Sequence, residues 1–366
     1  MENVKSWDAI IVGAGIIGLF LAIELRKQGL QVLIVDRGEP GREASWAAGG
    51  MLVSSEAEML PALRSLADAS ARMYPEFVHE LQDESGSKID LRSNGTFLWE
   101  SDPDSQLRAS LPFPAPLLDL EPNLSAACLG HEPLFLNEQC VDPRDLVVAA
   151  WKASRYRGVD FSTGDQVLSI DIHGGRGTGI RTNKTSFSSG AVINCAGAWA
   201  GQIGPHAFPT RPVKGQMLCV VMPGKNFLRH VIRTPDVYLI PRSDGRLLIG
   251  ATVEEAGFDK QIVPETIQKL RSTALQLMPR LSEARILEAW AGLRPGTPDK
   301  LPILGATPTT GYFVATGHFR DGILLAPVTA KIMASVVTGS TPSLDLSAFS
   351  ATRFPVSPVL PRAPRG

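Results

Sequence analysis

A glycine-rich turn between two strand-like segments is the feature that most constrains this chain. Residues 7–12 form a short apolar run rich in β-branched side chains, and residues 19–28 carry a helical pattern that ends at Gly29. A second apolar run, residues 31–36, ends in an acid, Asp36. Strand, turn, helix and strand form one βαβ unit of about 30 residues. The sequence therefore predicts a parallel sheet covered by helices.

The turn itself reads Gly13-Ala-Gly15-Ile-Ile-Gly18, which matches the GxGxxG pattern. Gly13 permits the tight turn, Gly15 lets the backbone approach a pyrophosphate, and Gly18 lets helix and strand pack closely. The following helix offers free N–H groups at its N-terminus, and Asp36 can accept a hydrogen bond from a ribose hydroxyl. The alternative is a glycine turn that serves packing only. The pattern favours a dinucleotide but does not separate NAD from FAD.

A run of small residues follows the acid of the second strand. Residues 41–51 read Gly-Arg-Glu-Ala-Ser-Trp-Ala-Ala-Gly-Gly-Met. Small side chains let a chain lie flat against a bulky group, which fits a flavin; taken alone, the run could also be an ordinary loop. An NAD enzyme is disfavoured because nothing in it would account for this run.

Composition and charge exclude several classes of protein. The 36 basic residues nearly balance the 37 acidic ones, so the chain lacks the positive charge that nucleic-acid binding needs. The uncharged stretch 9–23 is shorter than the roughly 20 residues of a membrane-spanning helix, and the start lacks the pattern of a secretory signal. We therefore expect a cytoplasmic protein with neither a membrane nor a nucleic acid as partner.

The four cysteines, numbers 128, 140, 195 and 219, show no CxxC or Cys/His spacing. This pattern predicts buried thiols and no metal site.

Beyond residue 140 the patterns change along the chain. Asp142-Pro143 predicts a capped helix that runs to Gly158, and residues 191–197 predict a return to the parallel sheet. Between 211 and 252, strand-like runs predict an antiparallel meander; they are residues 216–221, 237–241 and 246–250.

Three further segments carry weaker signals. Residues 264–278 have helical apolar spacing and predict one amphipathic helix on the meander. Pro75 is expected to kink or divide a helix between residues 61 and 82. Residues 340–366 are rich in proline and predict a poorly structured tail.

Three segments together resemble the family of FAD-dependent amino-acid oxidases that includes glycine, sarcosine and D-amino-acid oxidases. They are residues 44–52 (ASWAAGGML), 290–297 (WAGLRPGT) and 317–327 (GHFRDGILLAP). The last two are typical of the glycine-oxidase branch, and the resemblance runs from Asp8 to Phe354.

The resemblance implies a fold of class α/β plus α+β, in which an antiparallel-sheet substrate domain is inserted into a Rossmann-type FAD domain. The expected FAD domain comprises residues 1–85, 140–210 and 290–345. The expected substrate domain comprises 86–139 and 211–289, followed by a C-terminal tail, 346–366.

The resemblance also implies which residues contact FAD. Backbone at Val167 would meet the adenine, and residues 318–324 would border the isoalloxazine. The full set adds the motif residues and two small residues after the returning strand: Gly13, Gly15, Ile16, Ile17, Gly18, Asp36, Arg37, Ala44, Ser45, Gly49, Gly50, Met51, Val167, Ala196, Gly197, His318, Phe319, Arg320, Asp321, Gly322, Ile323 and Leu324. FAD is expected to be non-covalent, because related sarcosine oxidases use a cysteine near the C-terminal flavin segment and none here lies beyond 219.

A small amino acid offers chiefly its carboxylate, for which a partly buried arginine is the apt anchor. The resemblance assigns this role to Arg294, adds a hydrogen bond from the Tyr238 hydroxyl, and places Arg320 beside flavin and substrate. The alternatives are a surface ion pair for each arginine and a packing role for the tyrosine. At Val253 the side chain of the pocket wall is smaller than in some relatives, so the volume of the pocket and the preferred small amine stay open.

The expected chemistry is hydride transfer from the α-carbon of a neutral amine to flavin N5, followed by imine hydrolysis and reoxidation by dioxygen. It requires no strong protein base, and no Ser/His/Asp or Cys/His grouping occurs. His318 is expected to shape the ring pocket.

The resulting hypothesis is oxidation of glycine, with sarcosine and small D-amino acids as further substrates, for thiazole synthesis. The alternatives are a dehydrogenase or oxidase of another secondary amine or D-amino acid, and a nucleotide-binding protein without oxidase activity. Family analogy suggests a homotetramer.

Overall fold

The structure, a computed structural model, describes residues 6–54, 59–99, 116–125, 133–222 and 227–355. In chain order its strands are β1 (Trp7–Val12), β2 (Val32–Asp36), β3 (Met51–Leu52), β4 (Leu91–Arg92), β5 (Thr96–Leu98), β6 (Leu134–Leu136), β7 (Gln139–Val141), β8 (Asp160–Thr163), β9 (Val167–His173), β10 (Arg176–Thr182), β11 (Ser186–Asn194), β12 (Arg211–Val221), β13 (Val231–Arg233), β14 (Tyr238–Pro241), β15 (Arg246–Gly250), β16 (Arg285–Gly296), β17 (Ile303–Ala306) and β18 (Tyr312–Thr316). Its helices are α1 (Ile16–Lys27), α2 (Ala44–Ala47), α3 (Arg64–Ser85), α4 (Leu117–Leu120), α5 (Pro143–Tyr156), α6 (Pro264–Leu277) and α7 (Gly322–Val337).

A first sheet has the strand order β17-β18-β11-β1-β2-β8. Its central pairs are parallel, and β1 lies between β2 and β11, with Ile10 opposite Leu33 on one side and Val192 on the other. Both faces of β1 are buried, as expected for a parallel sheet covered on both sides. The predicted βαβ unit and the predicted return of the chain to this sheet are confirmed.

Helices α1, α3, α5 and α7 cover one face of the first sheet and form the largest apolar core with it. The antiparallel pair β9 and β10 extends from β11, and a smaller core lies on the opposite face. Helix α5 begins as predicted, since the Asp142 carboxylate accepts from the backbone N–H of Arg144 and Pro143 is the first helical residue.

A second sheet has the strand order β16-β12-β15-β14-β13-β5-β6. Strands β12, β15, β14 and β13 are antiparallel to one another, which confirms the predicted meander. The sequence did not predict the parallel pair of β13 with β5. The predicted amphipathic helix is α6, which buries Leu270, Ala274 and Leu277 against one face of this sheet.

A short third sheet, β3-β7-β4, joins the two larger ones. The boundary expected at residue 290 falls inside β16, which pairs with β12 along its length from Arg285 to Gly296. Residues 100–115 and 126–132 of the expected substrate domain lie outside the described residues.

Of the two outcomes expected at Pro75, division of the helix is wrong, because α3 continues from Arg64 to Ser85 with Pro75 inside it, and a kink stays a prediction. A proline in a helix costs about 3 kcal/mol through its missing N–H and its ring. That cost is offset by burial, since α3 keeps one apolar face on both sides of the proline, including Leu66, Tyr74 and Phe77.

Helix α7 also contains a proline, Pro327, which leaves the carbonyl of Ile323 without its helical donor. The Tyr74 hydroxyl of α3 donates to this carbonyl. In the next position, the Ser70 hydroxyl donates to the Leu324 carbonyl at 2.6 Å and accepts from the Val328 N–H at 3.3 Å. Two buried side chains of α3 therefore provide hydrogen bonds to the backbone groups in the first turns of α7. The N-terminus of α7 lies at the site described below.

The described part of the C-terminal segment is more ordered than expected. Two short 3-10 turns, Ser347–Phe349 and Ala351–Arg353, bury Phe349 and Ala351 against the first sheet and its helices. Arg353 forms an ion pair with Asp299 at 2.8 Å. Residues 356–366 of the predicted tail lie outside the described residues.

Among the residues that the structure describes, no helix combines the length and the apolar character needed to cross a membrane. Cys140, Cys195 and Cys219 are free and buried, as predicted, whereas Cys128 lies outside the described residues.

Candidate functional site

A cavity of about 1020 Å³ lies between the first and second sheets. Its walls come from the glycine turn, the small-residue run, the ends of β11 and β18, and strands β12, β14 and β16. We call the part around Gly13–Gly18 and Asp36 the nucleotide end, and the part around Arg294, Tyr238 and Arg320 the arginine end. The cavity therefore brings together the two groups of residues that the sequence singled out separately.

The nucleotide end is made of closely packed backbone. Gly13 has φ 107°, and a Cβ there would lie 2.5 Å from the Cys195 carbonyl oxygen. A Cβ on Gly18 would lie 2.1 Å from the Gly13 carbonyl oxygen. Both positions require glycine, and the tight turn brings the N-terminus of α1 to the cavity wall.

Several N–H groups at this turn are available to a ligand. The Ala14 N–H donates to Asp36 at 2.7 Å and the Ile16 N–H donates to Ser45 Oγ at 3.0 Å. For the N–H groups of Gly15 and Ile17, the described residues provide no acceptor. A helix N-terminus with unpaired N–H groups suits an anion such as a pyrophosphate.

Asp36 ends β2 and lines the cavity. Its two carboxylate oxygens accept from the backbone N–H groups of Ala14 and Gly38, at 2.7 and 2.8 Å. These bonds fix the carboxylate beside the turn, and each oxygen retains a lone pair for a hydroxyl group. The geometry fits the predicted ribose contact.

The small-residue run lies between the cavity and the strands behind it. Gly50 has φ 80°, and a Cβ there would lie 2.0 Å from the Val141 carbonyl oxygen. A Cβ on Gly292 of β16 would lie 2.4 Å from Ala47 Cβ, so the run also lies against the second sheet. These contacts hold the run close to the strands behind it, and Gly49 and Gly50 present no side chain at the cavity wall.

Arg294 anchors the arginine end. It extends from β16, and its guanidinium lies over Gly215 of β12, where a Cβ would be 2.3 Å from Nη1. Nη1 donates to the carbonyl oxygens of Thr252, at 3.0 Å, and Lys214, at 3.3 Å. No carboxylate of the described residues forms an ion pair with Arg294. The guanidinium is thus a largely buried cation that lines the cavity, and the Glu254 carboxylate acts on it electrostatically without forming an ion pair.

Tyr238 and Arg320 complete this end. Burial raises the pKa of Tyr238, while the cations of Arg294 and Arg320 act to lower it. Burial lowers the pKa of Arg294, which the Tyr238 hydroxyl acts to raise and Arg320 to lower. The three side chains therefore interact with one another across the cavity, and the field at this end is positive.

His318 and Asp321 lie beside Arg320 on the approach to α7. Burial lowers the pKa of His318 to about 3, and its Nε2 lies 3.2 Å from Thr329 Oγ1. The imidazole is therefore neutral near pH 7. Burial raises the pKa of Asp321 to about 6, with Arg320 acting in the opposite direction. No group in the described part of the chain donates a hydrogen bond to the Asp321 carboxyl.

Most of the residues assigned by sequence line this cavity, including Val167, Ala196 and Gly197. Two do not. Gly18 packs against Gly13, which matches its packing role, and Leu324 is buried in the helical core. Neither forms part of the cavity wall, and their contact with the cofactor stays a prediction.

Sequence reasoning missed Gly215 and Gly250 at the arginine end. Gly215 makes room for Arg294, and a Cβ on Gly250 would lie 2.9 Å from the Tyr238 hydroxyl. The available signal was a glycine inside a strand-like run, which often marks a close approach of another group. Within the described ranges, no cluster of His, Cys, Asp and Glu could hold a metal ion.

Comparison with known proteins gives the following matches. A family model for FAD dependent oxidoreductases (DAO) matches residues 8–336. The glycine oxidase of Pseudomonas aeruginosa is 32% identical over 350 residues, covering 92% of this chain and 96% of that protein. The bifunctional protein ThiO/ThiG of Synechocystis sp. is 34% identical over 359 residues, covering 95% of this chain and 54% of that protein.

Among solved structures, the crystal structure of glycine oxidase from Geobacillus kaustophilus matches with a TM-score of 0.90 at 31% identity, covering 96% of this chain and all of that one. This agreement over nearly the whole length confirms the predicted fold class. On the family match and these identities, the chain belongs to the FAD-dependent oxidoreductases of the D-amino-acid oxidase family, and its cofactor is FAD.

Proposed function

We propose that this protein oxidises glycine to glyoxylate. It would also oxidise sarcosine, to glyoxylate and methylamine, and small D-amino acids, to their 2-oxo acids. For glycine the balanced reaction consumes dioxygen and water and releases glyoxylate, ammonia and hydrogen peroxide. The observation that carries the proposal is the Arg294 guanidinium, which forms no ion pair with a described carboxylate and lies in the same cavity as the nucleotide turn. The likeness to two glycine oxidases supports glycine as the substrate.

The residues at the nucleotide end would hold FAD without a covalent bond. The N–H groups of the turn suit the pyrophosphate, Asp36 suits the ribose, and the run at Gly49 and Gly50 suits the ring. When bound, the flavin supplies the two-electron chemistry, taking electrons from the substrate and passing them to dioxygen.

Arg294 would bind the substrate carboxylate. Nη1 is already used by two carbonyl oxygens, and these bonds fix the orientation of the guanidinium. A guanidinium has five N–H donors, so the rest of the fork remains for a carboxylate. Charge-assisted bonds of this kind orient a small substrate strongly, because both the position and the plane of the carboxylate are set.

Tyr238 would donate its hydroxyl to the same carboxylate. Its raised pKa keeps the phenol protonated, and so a donor, at neutral pH. Arg320 adds a second positive charge near the substrate. These two cations favour the carboxylate and disfavour an ammonium group, so they favour binding of the amine in its neutral, reactive form.

Among the described residues, His318 is the histidine that lines the cavity, and it is not a base for the amine proton. His318 is neutral with a pKa of about 3, and its ring contacts Thr329. The role of the protein is therefore to bind and orient the substrate, and the electron transfer belongs to the cofactor.

We also propose that the imine or glyoxylate produced serves thiazole synthesis for thiamine, in a cytoplasmic enzyme. The likeness to the ThiO/ThiG protein supports this placement.

The test is an anaerobic titration of the purified yellow protein with glycine, sarcosine and D-alanine in parallel. Glycine should bleach the flavin absorbance, and aerobic turnover should release one hydrogen peroxide per glyoxylate. Bleaching without peroxide under air would indicate a dehydrogenase. Bleaching by sarcosine or D-alanine but not glycine would indicate an oxidase for another amine.

A further inference from the structure

Arg242 is a buried arginine that the reaction described above does not use. It directly follows β14, the strand that carries Tyr238, and its side chain is 1% exposed. Nη2 donates to the Gly49 carbonyl oxygen at 2.6 Å. Among the described residues, Nε and Nη1 have no hydrogen-bond partner, and Nε lies 3.6 Å from Asp142 Oδ2. Its one short contact is therefore with backbone rather than with a carboxylate.

That contact fixes one peptide group of the cavity wall. Gly49 and Gly50 both line the cavity, whereas Arg242 does not. The Gly50 carbonyl is fixed as well, since it accepts from the Val141 N–H at 2.9 Å. In a trans peptide the C=O and N–H point in opposite directions. With the Gly49 oxygen directed at Arg242, the Gly50 N–H points away from Arg242, which does not line the cavity, and no described residue accepts from it.

The surrounding charges leave Arg242 as the cation nearest this peptide. Asp142 is shared between Arg242 and Arg246, and Arg246 makes the shorter contact, 2.8 Å against 3.6 Å. The pKa of Asp142 lies below its ordinary value. Burial acts to raise it, but the two cations and the hydrogen bond from the Arg144 N–H lower it by more, so the carboxylate is ionised. A hydrogen bond from a cation to a carbonyl oxygen is stronger than a neutral one and polarises the peptide.

We propose that Arg242 is a positioning residue for the cofactor. Through the Gly49 carbonyl it orients and polarises the Gly49–Gly50 peptide, so that the Gly50 N–H becomes a stronger donor to the flavin bound in the cavity. A stronger donor stabilises the more electron-rich, reduced form over the oxidised form, so Arg242 raises the reduction potential of the flavin. The inference rests on the FAD-binding part of the proposed function and not on the identity of the amine.

The experiment compares Arg242→Met with Arg246→Gln as a matched control. Each variant removes one cation from Asp142, but Arg246 has no contact with the cavity backbone. The measurements on purified holoenzyme are the flavin midpoint potential, by equilibration with a reference dye, and the dissociation constant of sulfite, an anion that adds reversibly to oxidised flavin.

We expect Arg242→Met to lower the midpoint potential and to weaken sulfite binding about tenfold, the size of effect typical for loss of one charge-assisted hydrogen bond. Arg246→Gln should leave sulfite binding within about twofold of the wild type, since it does not touch the peptide. Arg242→Lys, which keeps the charge, should recover part of the loss.

The proposal is overturned if Arg242→Met leaves both quantities unchanged, or if Arg246→Gln changes them as much. If Arg242→Met yields no soluble holoenzyme, Arg242→Gln provides the comparison, because it keeps a polar amide at this position and removes the charge together with the Nη2 contact to the Gly49 oxygen. Neither measurement uses glycine, so an enzyme that loads FAD but does not oxidise glycine would still test Arg242.

Discussion

The two ends of the cavity are built in different ways. The nucleotide end comes from one continuous stretch, residues 13–36, and presents backbone N–H groups and one carboxylate. The arginine end presents side chains from β14, β16 and the turn before α7, brought together from distant parts of the chain. A substitution at the first end therefore acts through steric collision with backbone, whereas one at the second end acts mainly through charge.

The largest effect should come from the charge at the arginine end. We expect Arg294→Gln to lower kcat/KM for glycine, which corresponds to a rise of about 2–5 kcal/mol in transition-state free energy. The reason is that the substrate carboxylate loses its desolvated partner. The dissociation constant of FAD should stay unchanged, since the nucleotide end is untouched. Steady-state peroxide release and fluorescence titration with FAD measure the two quantities.

The matched control is Arg211→Gln, which removes an exposed arginine at the cavity wall that pairs with Glu255 at 3.0 Å. Its kcat/KM should change by less than about 1 kcal/mol, as for other surface ion pairs. Equal losses in the two variants would show that Arg294 does not anchor the substrate.

The steric character of the nucleotide end is tested by Gly13→Ala against Gly29→Ala. Both glycines have positive φ, 107° and 85°, but only at Gly13 would the new methyl collide with backbone. We expect Gly13→Ala to cost on the order of 2–4 kcal/mol in the free energy of unfolding and to weaken FAD binding strongly. Gly29→Ala should cost about 1–2 kcal/mol with FAD affinity unchanged.

Urea unfolding measures the loss of stability in both variants, and titration with FAD measures the loss of affinity. Backbone strain lowers stability in both, whereas the collision at the turn weakens FAD binding only in Gly13→Ala. Similar FAD affinities for the two variants would contradict the close packing at the turn.

The pH dependence of stability tests the charge at the arginine end through Asp321. No described residue donates a hydrogen bond to its carboxyl or forms an ion pair with it. Its folded pKa of about 6 lies above the ordinary value of 3.8, so between these values the folded protein binds more protons than the unfolded chain. In FAD-free protein, the stability of the wild type relative to Asp321→Asn should therefore fall as pH rises from about 4 to 6, by roughly 2–3 kcal/mol, and stay level above about pH 7.

Chemical denaturation of the two FAD-free proteins between pH 4 and 8 measures this difference. The contribution of Asp142, which has a lowered pKa, cancels because both proteins contain it. Parallel curves at all pH values would show that Asp321 does not titrate in this range.

The smallest effect should come from Gly215→Ala, which tests sterics at the arginine end. The new methyl would displace the Arg294 guanidinium, whose Nη1 lies 2.3 Å from its position. We expect KM for glycine to rise about tenfold, equivalent to about 1.4 kcal/mol, with FAD affinity unchanged. Gly190→Ala, where nothing lies within 4 Å, is the control, and an equal rise in KM there would reject the steric explanation.

The elements that sequence predicted well are those specified by nearby residues. The strand, glycine turn and helix of residues 7–27, the cap at Asp142 and the amphipathic helix α6 each depend on side chains a few positions apart. The antiparallel meander is confirmed as well. It could be predicted because glycine, proline and aspartate mark its turns. The roles of Arg294, Tyr238 and Arg320 rest on family resemblance and stay predictions until the variants are measured.

The elements that sequence missed depend on distant contacts. Pro75 breaks a helix by local rules, yet α3 continues through it because its face is buried against α7 and α5. Tyr74 and Ser70 satisfy the carbonyls of Ile323 and Leu324, some 250 positions away in sequence. Such compensation cannot be read from local propensity, since tertiary burial outweighs it.

By itself, the sequence predicted a βαβ unit whose glycine turn favours a dinucleotide, and an antiparallel meander farther along the chain, because turn chemistry and apolar periodicity are local properties of the chain. Only the tertiary structure decided that the Arg294 guanidinium lies over Gly215 with no ion pair to a described carboxylate. It also decided that Arg242, outside the cavity, donates to the Gly49 carbonyl oxygen of the cavity wall. The reason is physical: the electrostatic environment of a buried cation depends on what lies within a few ångströms of it, and those neighbours come from strands that the sequence keeps far apart.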